Sequence, residues 1–184
     1  MITNIDSTSI NNHSSDAKNE ADFFVNLFNL QPHPEGGYFS QTFKSNHSVK
    51  STDIERYGNN SRCAGTSIYY LLNKTDFSAW HKLQSDEIWH YYKGCEVIIY
   101  LIDKQNNLKS YVLGDPSKNI NAVFQISISS DTWFAAELID KDSYCLIGCT
   151  VNPGFEFIDF ELGDSNLLIH EFPQHEVIIT KLTR

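Results

Sequence analysis

The spacing of hydrophobic positions changes once along the chain. Over residues 20–30, Ala21, Phe24, Val25 and Phe28 recur at helical intervals, which predicts a short amphipathic helix. Asn19 stands where a cap belongs and Asp22 at the capping-box position. Pro32 and Pro34 stop the helix. After the turn signal Gly36-Gly37 the period falls to two. Tyr38–Lys44 alternates as a strand, and further β-rich stretches follow at 66–72, 78–83, 87–92, 96–102, 109–113, 122–128, Trp133–Leu138 and 143–151, with 155–160 a weaker candidate. Asn73-Lys74, Lys93-Gly94, Gly114-Asp115-Pro116, residues 129–131 and Pro153-Gly154 supply turns. So many short strands predict an all-β sandwich or barrel. Strand does not alternate with helix, which argues against a parallel α/β sheet. Near the C-terminus two readings stand: Asp164 can cap a helix through Leu167 and Leu168, while Val177, Ile178, Ile179 and Thr180 read equally well as strand.

Composition narrows the function. A chain of 184 residues suits one domain with a sizeable core, expected at 19–184. Residues 1–18 are expected to be a disordered polar tail, since Ser, Asn and Thr dominate 1–16 and no signal core is present. The net charge of −9 and the scattered basic residues disfavour nucleic acid and anionic membrane as partners, and no apolar run is long enough to span a bilayer. Cys63, Cys95, Cys145 and Cys149 form no CxxC pair, so reduced buried thiols in a cytoplasmic protein are expected rather than disulfides or a zinc knuckle.

Several ordered segments resemble one family. They are Leu30-Gln31-Pro32-His33-Pro34-Glu35-Gly36-Gly37-Tyr38-Phe39, Ser78-Ala79-Trp80-His81-Lys82-Leu83, Ser85-Asp86-Glu87-Ile88-Trp89-His90-Tyr91-Tyr92-Lys93-Gly94, Trp133-Phe134-Ala135-Ala136-Glu137-Leu138, Gly148-Cys149-Thr150-Val151-Asn152-Pro153-Gly154-Phe155 and Phe172-Pro173-Gln174-His175. Over residues 20–184 the chain is similar to the small single-domain cupins of bacteria and fungi, the fifth cupin group. The resemblance implies a double-stranded jelly-roll barrel with a pocket inside, usually a homodimer, and short C-terminal helices over 165–182. Gln41 and Lys44 depart from the acidic residue and Arg common in the family, and Ser129-Ser130-Asp131 replaces a Pro-x-Gly turn.

Metal-binding cupins use three imidazoles and a carboxylate. By this resemblance the chain keeps His81 and Glu87, while Phe134 stands where the last His falls. No cofactor is therefore expected. The alternative is a divalent metal on His81 and Glu87, with His90 or Glu137 filling in. Strand parity sends Glu87, Trp89 and Tyr91 to one face and His90 to the other, and it groups His81 with Ala79 and Phe77. If His81 and Glu87 meet across neighbouring strands, the imidazole is a general base oriented by the carboxylate, as in metal-free epimerases of the wider cupins, and Tyr69 or Tyr91 supplies the acid.

His33, Glu35, Arg62, His90, Trp133 and Glu137 are candidate ligand contacts. Each has a plainer reading: a linking turn for His33 and Glu35, a surface salt bridge for Arg62, an interfacial or core histidine for His90, and core packing for Trp133. The sequence thus predicts a small-molecule-binding cupin, with metal-independent epimerase or isomerase chemistry on a sugar derivative or other small polar metabolite. Non-catalytic binding or sensing, and a metal-dependent oxygenase or isomerase, are the alternatives.

Overall fold

The computed structural model describes residues 17–50, 57 and 60–184; most of the predicted polar tail lies outside them. Among the described residues the first element is helix α1 (Ala17–Leu27). The strands described after it are β1 (Gln31–Pro32), β2 (Tyr38–Lys44), β3 (Ser48–Val49), β4 (Arg62–Cys63), β5 (Thr66–Asn73), β6 (Phe77–Leu83), β7 (Asp86–Gly94), β8 (Val97–Ile102), β9 (Leu108–Leu113), β10 (Ala122–Val123), β11 (Gln125–Ile128), β12 (Trp133–Leu138), β13 (Tyr144–Asn152) and β14 (Phe160–Leu162). Helices α2 (Ser165–Glu171) and α3 (Glu176–Lys181) close the chain. Asn19 lies inside α1 and is not its cap. The predicted strand over 122–128 is divided in two, and 155–160 is mostly a 3-10 turn, Phe157–Asp159, entering β14. Asp164 caps α2 by accepting from the Leu167 amide at 3.0 Å. The β-branched run 177–180 is helical because Ile179 reaches a hydrophobic cluster with Leu168, Phe172 and Leu182, so packing overrides local propensity.

Two six-stranded sheets lie face to face, in the orders β1-β2-β5-β13-β7-β11 and β10-β9-β8-β12-β6-β14. Every pairing in them is antiparallel except β9 with β10. The fold is a jelly-roll barrel of the cupin type. Tyr70, Leu72 and Trp89 from one sheet meet Ile99, Phe134 and Leu138 from the other in the core between them. On the outer face of the first sheet, Ala21 of α1 packs with Leu71 and Leu146. On the outer face of the second, Trp80 and Ala135 pack with residues of α2 and α3. No helix among the described residues is long and apolar enough to cross a membrane.

One irregularity sets up the interior. In the β6–β12 pairing Ser78 lies opposite Ala136 and His81 opposite Phe134, so Ala79 and Trp80 together face Ala135 alone. This is a β-bulge, and it shifts side-chain parity. Trp80 turns out to the helices, while Ser78 and His81, three residues apart, both turn inward. The expected grouping of His81 with Phe77 therefore fails, and Phe77 packs with the outer cluster. The bulged amides find partners outside the ladder: Ala79 donates to Glu35 O at 2.8 Å and Trp80 to Leu182 O at 2.9 Å.

Candidate functional site

A cavity of about 90 Å³ opens between the sheets. Its walls include Phe39, Tyr70, Phe155, Phe157 and Phe160, and its polar groups are His33, Glu35, Gln41, Thr66, His81, Glu87 and Cys149. An apolar cavity of about 150 Å³ takes one benzene, so the space suits a ligand of a few heavy atoms.

Glu35 reaches the cavity from the β1–β2 connection. The His33 amide donates to Gly37 O at 2.9 Å and the Gly36 amide to His33 O at 3.0 Å. Gly36 and Gly37 have φ of 113° and 66°, conformations that side chains disfavour. A Cβ on Gly36 would lie 2.1 Å from Phe77 O, so only glycine lets this loop press on β6. Arg184 holds the loop from outside: its Nε donates to Glu35 O at 3.1 Å, and its guanidinium pairs with Asp76.

Glu35, 6% exposed, is the carboxyl group that meets His81, which is 2% exposed. Glu35 Oε2 lies 3.2 Å from His81 Nε2 and 3.4 Å from His33 Nδ1, and Glu35 Oε1 accepts from Ser78 Oγ at 2.9 Å. His81 Nδ1 lies 2.7 Å from Ala79 O. A carbonyl only accepts, so Nδ1 carries a proton and Nε2 faces Glu35. Burial lowers His81 to about 4 and pushes Glu35 up, and both directions favour the uncharged forms, in which Glu35 donates to Nε2. Burial also lowers His33.

Glu87 enters from β7, and parity places it inward with Trp89. It makes no hydrogen bond or ion pair with His81, which corrects the expected pairing: the β6 bulge and the Glu35 loop give the imidazole a different carboxyl. Glu87 Oε2 is buried without a hydrogen-bond partner, and so is the indole Nε1 of Trp89. Burial, with Glu35 beside it, lifts Glu87 to about 8.

The other residues singled out in the sequence lie elsewhere. Even-numbered residues of β5 face inward, so Tyr70 lines the cavity and donates to Gly36 O at 2.9 Å, while Tyr69 stacks on Phe28 outside at 4.3 Å. The Tyr91 phenol donates to Gly94 O at 2.8 Å, at the far end of β7. His90 faces outward, with Nε2 3.2 Å from Thr150 Oγ1 and Nδ1 3.0 Å from Gln125 Nε2. Arg62 is buried in a two-pronged pair with Asp159 at 2.5 and 2.6 Å. Trp133 packs outside the barrel beneath Lys82. Glu137 is held by Lys141 and Lys181. Of the sequence candidates, His33, Glu35, His81 and Glu87 share the cavity. Tyr70 and Cys149 were missed, although parity counted inward from Leu72 finds the first.

The cupin fold implies a metal ion, and the residues here do not fit one. Glu35 Oε2 occupies the position an ion shared by His33 and His81 would need, where ligand bonds run about 2.0–2.2 Å. Among the described residues no three His, Cys, Asp or Glu side chains are arranged to hold one.

The fold and its interior pocket define a cupin. Residues 22–163 match the family described as Cupin superfamily (DUF985), and the chain belongs to that family. A protein of Shewanella oneidensis with a crystal structure is 30% identical, with a TM-score of 0.79 over 89% of this chain and 97% of its own. A hypothetical protein from Leishmania major is 29% identical, with the same TM-score over 89% and 98%. Oxalate decarboxylase of Bacillus subtilis is 10% identical, with a TM-score of 0.51 over 82% of this chain and 36% of its own; that likeness concerns the fold alone. No match was found among curated proteins.

Proposed function

We propose that the barrel cavity binds one small metabolite and exchanges a proton with it, as an epimerase or isomerase does without a metal. The observation that carries this reading is Glu87: a buried carboxyl oxygen with no partner, beside an equally unpaired Trp89 indole, in an open aromatic cavity. Buried polar atoms are almost always paired, so such a group marks a place for a ligand. Glu87 meets the polar end of the ligand, and the Glu35–His81 pair handles the proton. Moving the shared proton from Glu35 to Nε2 leaves the net charge of the cavity unchanged, so the pair can give or take a proton next to a bound molecule. Tyr70 replaces the expected Tyr69 and Tyr91 as the nearby phenol.

A second reading is non-catalytic binding. It is favoured by His81, whose two ring nitrogens both have protein partners. The test adds small polar metabolites, matched to the size of the cavity, to protein with labelled imidazoles in deuterium oxide. The proposal expects one that shifts the His81 ring signals and gains deuterium at carbon, with exchange lost in Glu35→Gln. Binding without exchange supports the second reading. No shift from any of them refutes both.

A further inference from the structure

The charge census of the cavity points further. Its lining holds two carboxyl groups, Glu35 and Glu87, and among the described residues no lysine or arginine. Both imidazoles in it, His33 and His81, are lowered and so neutral near pH 7. The groups facing Glu87 are Glu35 from the β1–β2 loop, Trp89 from its own strand and Cys149 from β13. The indole and thiol can donate, and neither brings positive charge. Glu35 spends its oxygens on Ser78, His33 and His81, whereas Glu87, 7% exposed, keeps one unpartnered. The remaining wall is largely phenyl, from Phe39, Phe155, Phe157 and Phe160.

Aromatic faces around an uncompensated carboxyl attract positive charge and repel negative. An anion entering here would meet no countercharge, and its own charge would stand against either carboxyl group as soon as one ionised. An alcohol could satisfy one lone pair and no more. An ammonium group donates to the carboxylate, turns its remaining C–H bonds to ring faces, and leaves the site neutral once Glu87 releases its proton. The cavity is only about 90 Å³, which limits the organic body.

Taking the cavity as a small-molecule site, we propose that its ligand is a small organic cation, an ammonium compound whose charged head sits at Glu87 and whose apolar body lies among the phenyl rings. The test uses three probes of nearly equal size and different charge: n-butylammonium, n-butanol and butyrate. Each is titrated at pH 7 into the wild-type chain and into Glu87→Gln, with binding read from the NMR signals of His81 and Tyr70. In the wild type the ammonium should bind at least about tenfold more tightly than the alcohol, and butyrate should not bind. In Glu87→Gln the ammonium should lose that advantage while the alcohol binds as before, which also certifies that the variant is folded. Alcohol binding equal to ammonium in the wild type, or any preference for butyrate, overturns the cation and leaves the cavity as a ligand site. Failure of all three to move either residue overturns the cavity reading with it. An ammonium preference that survives in Glu87→Gln shows that another group holds the charge and overturns the assignment.

Discussion

The position of Glu87 should be visible in the stability of the fold as a function of pH. In the unfolded chain a glutamate titrates near 4.5, and in the folded chain burial beside Glu35 lifts Glu87 to about 8. Below pH 4.5 the group is protonated in both states and its contribution is whole. Between 4.5 and 8 the unfolded chain ionises and the folded one does not. Unfolding then releases a proton, so this stability is lost as pH rises, and above 8 the loss is complete. One proton corresponds to a slope of about 1.4 kcal/mol per pH unit, or about 3 kcal/mol between pH 5.5 and 7.5. That is large against a total of about 5–15 kcal/mol. Glu87→Gln keeps the shape and removes the titration. His81, lowered to about 4, has the opposite dependence and loses stability as pH falls from 6.5, but it is present in both proteins and largely cancels. Urea unfolding at each pH should therefore show the variant gaining about 3 kcal/mol on the wild type across that interval. A difference that stays flat within about 0.5 kcal/mol would mean that Glu87 is ionised in the folded barrel, and the account of a neutral cavity would fall.

Arg62→Gln should cost about 3–5 kcal/mol in denaturant unfolding, because it strands the Asp159 carboxylate in a buried place; a loss under about 1 kcal/mol would show that water reaches the pair. Phe134→Ala should cost about 3–5 kcal/mol and shift the His81 ring signals, since the two rings lie 3.9 Å apart between centroids; unchanged imidazole signals would refute that support. Asp164→Ala should lower stability by about 1 kcal/mol through loss of the α2 cap, measured by thermal unfolding with far-ultraviolet dichroism.

The strands were legible because aromatic and β-branched residues crowd them and turn residues separate them: Tyr38–Lys44 and Trp133–Leu138 have the expected ends, although burial alternates along neither. Helix α2 was legible from its Asp164 cap, whereas α3 was legible only by resemblance, since Val177 to Thr180 carry a local signal for strand that packing of Ile179 overrules. His81 and Glu87 were found as cavity residues by resemblance, and the pairing expected between them gives way to Glu35. A bulge leaves no mark in the pattern, because Ala79 and Trp80 are both apolar and both buried. Glu35 was named as a ligand contact, yet its meeting with His81 depends on a loop that returns across 46 residues of sequence, a contact no local period encodes. Arg62 looked like an exposed cation because nothing near it in sequence announces Asp159.

The extra residue in β6 also constrains how this gene can vary. Removing one amino acid at Ala79 or Trp80 would restore even alternation and leave Ser78 and His81 two apart on the same face, but it would take away one of the two amides that reach Glu35 O and Leu182 O. A point substitution there alters packing. A one-codon deletion would cut a backbone tie between β6 and the Glu35 loop or the C-terminal segment while leaving the cavity's polar residues encoded. Length in this strand should therefore be held more tightly than identity, and insertions or deletions should gather in the connections outside it.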